Sequence, residues 1–143
     1  MAEKDKKIRP FHLAFPVSNL DICKKWYTEI LGCSIGRKSK DWIDFNLFGH
    51  QIVAHLSDEN YIKNTNLVDN QNIPVRHFGV ILKINQWDEL VEKIKKSKID
   101  FLIEPQIRFK NKKGEQRTFF IVDPDNNALE FKAFKNDESI FKS

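Results

Sequence analysis

The chain has few cysteines and no long apolar run. Two cysteines, Cys23 and Cys33, stand among 143 residues and do not form a C-x-x-C pair. That leaves no disulfide framework. Cys23 falls in a helical pattern and Cys33 at the start of a strand, so both read as small core residues, as suits a reducing cytoplasm. No apolar stretch approaches the roughly 18 residues of a membrane helix. The opening MAEKDKKIRP is basic but has no apolar region behind it, so it is not a secretory signal; residues 1–8 read as a frayed tail. Arginine is scarce beside lysine, while Asn and Ile are abundant, a combination that reflects AT-rich coding. The lysines are scattered, apart from Lys93, Lys95, Lys96 and Lys98 and from Lys110, Lys112 and Lys113. The net charge of +4 and pI near 9.0 therefore do not mark a nucleic-acid binder.

What is present is an ordinary globular composition, 41% hydrophobic and 31% charged, with 12 phenylalanines for an aromatic-rich core. The length suits one domain or two very small fused modules. Residues 10–17 read as a strand. Ser18 or Asn19 can cap a helix that recurs at Leu20, Cys23, Trp26, Tyr27, Ile30 and Leu31 and stops at Gly32. Strands follow at 33–37, at 41–48 with Ile43, Phe45 and Leu47 on one face, and at 50–56. Residues 57–74 are polar and rich in Asn and Asp, a linker or mobile flap. The pattern then returns: a strand at 75–84, a helix capped by Asn85 with Trp87, Leu90, Val91 and Ile94 inward, a strand at 101–109 interrupted by Pro105, and strands at 115–123 and 128–134. The fold class is therefore α+β, with two tandem β-α-β-β-β modules, 10–56 and 75–134, forming paired half-barrels around a central cleft.

His12 and His77 hold equivalent positions in the two opening strands, FHLAFPV and RHFGVIL. A lone histidine among apolar residues is usually a core residue bonded to backbone; two in register suggest a shared target. Glu130 lies between Leu129 and Phe131. It either faces solvent or is buried at a cost of several kcal/mol unless paired or bound to metal.

Asp123-Pro124-Asp125-Asn126-Asn127-Ala128-Leu129-Glu130 resembles the D-P-x-G-N-x-x-E signature of the vicinal oxygen chelate superfamily, which holds glyoxalases, bleomycin-resistance proteins and extradiol dioxygenases. Asn126 replaces the usual Gly and tolerates the same left-handed turn. The opening strand and helix of each module are similar too, so the resemblance spans residues 10–134. It implies a divalent metal held by His12, His77 and Glu130, with Fe(II) favoured and Mn, Ni or Zn as alternatives. Matching Gly49 to Asn126 sets Val53 against Glu130, so the fourth corner lacks a ligand unless Gln51 or His55 fills it. His55 is otherwise a general base or a surface residue, and Gln51 a group that orients substrate or water. Trp42, Asp44 and Asn46 share a strand face that lines a cleft or meets solvent. Arg108 and Arg117 meet an anionic substrate or lie on the surface. The resulting expectation is a cytoplasmic, extradiol-dioxygenase-like metalloenzyme acting on a small molecule, monomeric or homodimeric, with no nucleic-acid or membrane partner. A glyoxalase-like isomerase or lyase and a metal-free ligand-sequestering protein are the alternatives.

Overall fold

The structure is a computed structural model whose described residues are 8–58, 65–68 and 71–142. The chain divides after Asp58 into two compact units. The first contains β1 (His12–Val17), α1 (Leu20–Glu29), β2 (Ser34–Lys38), β3 (Trp42–Leu47) and β4 (His50–Leu56). Its sheet runs β1-β4-β3-β2, with β1 parallel to β4. Asn19 begins α1: its side-chain oxygen accepts from the Ile22 N–H at 3.0 Å, satisfying one donor of the first turn. Gly32, at φ 71°, lets the chain turn so that the Cys33 N–H reaches the Tyr27 carbonyl at 3.0 Å. Tyr27 is fully buried between the rings of Phe15 and Phe45, with centroids at 5.4 and 5.1 Å. Ile43, Phe45 and Leu47 join this core, as alternation along β3 predicts.

The first described element of the second unit is a hairpin, β5 (Thr65–Val68) and β6 (Gln71–Pro74). It lies within the stretch read as a linker or flap; residues 59–64 and 69–70 of that stretch, like the N-terminal tail at 1–7, lie outside the described residues. Next come β7 (His77–Phe78), α2 (Ile84–Ser97), β8 (Ile103–Arg108), β9 (Gln116–Val122) and β10 (Ala128–Phe134), and a 3-10 turn at Asp137–Ser139. The sheet order β7-β10-β9-β8 repeats that of the first unit, again with its opening strand parallel to its last. Both units are thus β-α-β-β-β modules. Helix α2 covers one face of this sheet, where the Trp87 indole donates to the Phe131 carbonyl at 2.9 Å and Phe119 packs on Phe131.

Two elements differ from expectation. The strand expected over 75–84 pairs regularly only at His77–Phe78 and touches β10 again at Ile81. Between them Gly79 passes so close to β10 that a Cβ there would lie 1.6 Å from the Glu130 carbonyl oxygen. The helix cap is Lys83, not Asn85. The Gln86 side chain folds back to accept from the Lys83 N–H at 3.1 Å, which starts the helix before Asn85. The interruption expected at Pro105 is present as a register shift between Ile103 and Gln106. No described helix is long and apolar enough to cross a membrane.

Candidate metal and substrate site

In the second unit, helix α2 takes Phe119, Phe131 and their neighbours, so alternation turns Thr118, Phe120, Glu130 and Lys132 to the other face. Glu130 is buried, only 8% exposed. Its Oε2 accepts a 2.6 Å hydrogen bond from the Thr118 hydroxyl. Its Oε1 lies 3.4 Å from His77 Nε2 and 3.7 Å from Lys132 Nζ. Burial pushes the Glu130 carboxyl up, but the hydrogen bonds from His77 and Thr118 and the charge of Lys132 outweigh it and hold the group below the ordinary carboxylate value. The same bond to Glu130 raises the His77 imidazole above its ordinary value, against the opposing effect of burial.

His77 Nδ1 stands 2.7 Å from the Pro74 carbonyl oxygen. A carbonyl only accepts, so Nδ1 carries a hydrogen; the bond from Nε2 to Glu130 then belongs to the protonated ring, and in the neutral ring Nε2 has a lone pair to offer a metal. His12 in the first unit is held alike. Its Nδ1 is 2.8 Å from Gln51 Oε1, while the Gln51 amide donates to Asp44 Oδ2 at 3.2 Å. That donation sets the amide's orientation, so Gln51 accepts from His12 and leaves its Nε2 lone pair at an exposed face. Gln51 therefore supports His12 in this structure. Trp42 and Asn46 share this face with Asp44. His55 is exposed on it too, opposite Pro16 and Trp42. It lies two residues beyond Val53, about 7 Å further along the strand.

The two strand pairings fix how the modules correspond. His12 lies opposite Gln51, and His77 opposite Ala128. Two residues further on, Val53 answers to Glu130; four further on, His55 answers to Lys132. The first module thus has an apolar side chain where the second has its carboxylate.

Among the described residues no three His, Cys, Asp or Glu side chains form a group that could hold a metal. The second unit brings two donors together, His77 and Glu130; His12 belongs to the first. Within the second unit the two donors are of a kind that suits a divalent ion: an imidazole whose Nδ1 is held by the Pro74 carbonyl, leaving Nε2 for a ligand, and a carboxylate with one oxygen anchored by Thr118.

A pocket of about 180 Å³ opens on His77 and Glu130. Thr118, Phe120 and Lys132 form its floor, Gln106 and Arg108 come from β8, and Gln71 and Ile73 from β6. Gln106 and Gln71 bond to each other at 3.1 Å. Of the two arginines expected near an anion, Arg108 lines this pocket, whereas Arg117 points to the helix side and pairs with Asp88 at 3.0 Å. A larger hollow, about 590 Å³, lies at the start of α1 beside Asn19, Asp21, Lys24 and Lys40. It contains no histidine and a single acid, so it offers no comparable donor set. Sequence reasoning missed Thr118, Lys132 and the Pro74 carbonyl. Lys132 carried a signal, since it shares Glu130's side of an alternating strand; the other two depend on pairing and turn geometry.

Residues 11–133 match the glyoxalase-like domain family. No curated protein matches the chain in sequence. Among solved structures, the glyoxalase/bleomycin resistance protein/dioxygenase of Alicyclobacillus acidocaldarius is 34% identical, with TM-score 0.77 over 92% of this chain and 96% of that one. The fosfomycin resistance protein FosX of Listeria monocytogenes has the same fold at 19% identity, TM-score 0.65, over 90% and 93% of the two chains. A FosX variant with one glutamate replaced by glutamine, at 19% identity, TM-score 0.66, over 92% and 95%, was crystallised with Mn(II) and 1S,2S-dihydroxypropylphosphonic acid. The domain match over most of the chain, the repeated β-α-β-β-β modules and the 34% identical structure together establish that the chain belongs to the glyoxalase-like family of the vicinal oxygen chelate superfamily.

Proposed function

We propose that the protein is a metal-dependent enzyme that chelates neighbouring oxygens of a small substrate, with His12, His77 and Glu130 as the metal's protein ligands. When bound, the ion supplies Lewis-acid activation of those oxygens. The observation that carries the reading is the buried Glu130 carboxylate, tied by Thr118 through one oxygen and lying 3.4 Å from His77 Nε2 through the other. Gln51 orients His12, and the Pro74 carbonyl orients His77. Val53 at the repeat position of Glu130 leaves coordination positions for a bidentate substrate, which favours an extradiol-dioxygenase-like reaction with Fe(II) over a four-ligand, glyoxalase-like isomerase or lyase using Ni, Zn or Mn. His55 is the proton carrier in this reading, on the ground that it occupies the repeat position of Lys132, the side chain that reaches Glu130 in the second module. Two buried cysteines not joined in a disulfide, Cys23 and Cys33, suit a cytoplasmic protein, acting as monomer or homodimer without nucleic-acid or membrane partners.

A second reading is a metal-free ligand-sequestering protein. His77 and Lys132 already compensate the charge of Glu130, so the pocket needs no ion to be stable. Metal analysis of protein purified without chelators separates the two. About one divalent ion per chain, lost on replacing His12, His77 or Glu130 with Ala, supports the enzyme; no metal and no uptake on titration refutes it. Oxygen consumption with catechols under Fe(II), set beside turnover of a thiohemiacetal under Ni or Zn, then distinguishes the reactions. In the first case His55→Gln lowers turnover by about 10²–10⁴ with metal content unchanged.

A further inference from the structure

The parallel pairing that sets His12 opposite Gln51 extends one residue back, to Phe11 opposite His50. The Phe11 carbonyl accepts from the Gln51 N–H at 2.9 Å, as that ladder requires. By the same pattern the Phe11 N–H would donate to the Gly49 carbonyl. Gly49 lies in the turn between β3 and β4, at φ 92°, and the Phe11 N–H goes instead to His50 Nδ1, at 2.9 Å. A side chain thus takes the place of the backbone acceptor at the turn. The Phe11 ring is 66% exposed, so its packing adds little to what these two hydrogen bonds hold.

The direction of the bond assigns the His50 tautomer. A backbone N–H only donates, so Nδ1 accepts, and the neutral ring carries its hydrogen on Nε2. His12, one residue beyond Phe11, has the opposite arrangement, with its hydrogen on Nδ1 towards Gln51. His50 and Gln51, adjacent in β4, therefore grip Phe11 and His12, adjacent in β1. The His50 ring holds backbone and the Gln51 amide holds a side chain. Strand ends fray unless tied down, and fraying at Phe11 would carry the His12 imidazole away from Gln51.

We propose that His50 is a positioning residue for His12. It continues the β1–β4 ladder past the turn and fixes the backbone from which His12 presents Nε2. What His12 then does rests on the metalloenzyme reading above, whereas the positioning is measurable without metal.

The test compares wild type with His50→Asn and His50→Leu. Asn can place an accepting oxygen where Nδ1 stood; Leu removes the acceptor. Nitrogen-15 NMR of the metal-free protein at about pH 8.5, where an ordinary histidine with a pKa of about 6.5 is neutral, reads the tautomers. We expect hydrogen on Nε2 of His50 and on Nδ1 of His12 in wild type. In His50→Leu, amide exchange at Phe11 should quicken about fivefold or more, and His12 should become a mixture of tautomers. Mn(II) affinity, measured by calorimetry, should fall about ten- to a hundredfold. His50→Asn should restore all three, which a role in bulk packing would not predict. If His50→Leu fails to fold, His50→Gln replaces it, because its amide corresponds in reach to Nε2 and not to Nδ1. Hydrogen on Nδ1 of His50 in wild type overturns the proposal and needs no variant. So does Phe11 exchange or a His12 tautomer that is unchanged without the acceptor, or a loss that Asn does not restore. Mn(II) affinity that His12→Ala lowers and His50→Leu does not overturns it as well. If wild type takes up no Mn(II), or His12→Ala binds it as well as wild type, the assignment of His12 as a ligand has failed, and the two NMR readouts alone decide the positioning.

Discussion

Replacing Thr118 with Val removes one hydroxyl from the floor of the pocket and little else. The two side chains are similar in volume, and Thr118 is only 1% exposed, so the change opens no cavity and exposes no new surface. What disappears is the 2.6 Å bond to Glu130 Oε2, a short bond to an ionised acceptor. Such bonds contribute about 1.5–3 kcal/mol net. Because Glu130 is buried, water does not readily replace the lost donor, and the metal-free variant should lose stability within that range in urea unfolding at neutral pH. The loss should also depend on pH. Glu130 has a depressed folded value, so its contribution is present above the ordinary carboxylate value of about 4.3 and fades as pH falls through the lower folded value. The gap between Thr118→Val and wild type should therefore narrow in acid. With one carboxylate oxygen no longer anchored, Mn(II) affinity should drop about ten- to a hundredfold, the usual effect of removing a group that orients a ligand. If Thr118→Val matches wild type in both urea midpoint and Mn(II) affinity, Thr118 does not position Glu130.

Gly79→Ala should cost about 1–3 kcal/mol or more in thermal unfolding, because the new Cβ would lie 1.6 Å from the Glu130 carbonyl oxygen, a backbone atom of β10 that cannot give way cheaply; a variant as stable as wild type would contradict the close approach. Since the bond to Glu130 raises His77 and a ligand imidazole must be neutral, Mn(II) affinity should begin to fall at a pH above the ordinary histidine value of about 6.5, and that onset should move down in Glu130→Gln if any binding remains. Without metal the sign reverses: the His77–Glu130 bond stabilises fully below the unfolded histidine value and fades as pH rises through the raised one, which urea unfolding across that interval would detect. Arg117→Gln should change stability by less than about 1 kcal/mol and leave turnover intact, because its pair with Asp88 is exposed and on the helix side; a large loss of turnover would place Arg117 in the site after all.

Periodicity and repetition made the modules legible from the chain alone. The apolar alternation of β3, the Asn19 cap and the Pro105 irregularity all follow from local chemistry that the sequence displays directly. Lys83 replaced Asn85 as the helix cap because a glutamine three residues on can satisfy the same backbone donor, a competition that a ranking of good capping residues does not weigh. The contraction of β7 has a different origin. Gly79 reads as an ordinary glycine until its neighbour across the sheet is known. Within the site, His77 and Glu130 were found through a resemblance and are brought together by parallel pairing of β7 with β10. Thr118 and Pro74 were invisible because their roles come from which strand lies beside which.

The turn between β9 and β10 has a bearing on how errors are avoided. Asp123 accepts from the backbone N–H groups of Asp125 and Asn127 at 2.9 and 2.8 Å and from the Asn127 side chain at 2.8 Å, and Asn126 takes φ 63°. The loop is thus fixed in length by its own side chains. A slip of a single residue between these strands would send Glu130 towards Trp87 and turn Phe131 into the pocket. Insertions at residues 124–127 should accordingly be tolerated far less than exposed loops of that size usually are, and a protein carrying one would keep its sheet while presenting an oily wall where it now presents a carboxylate.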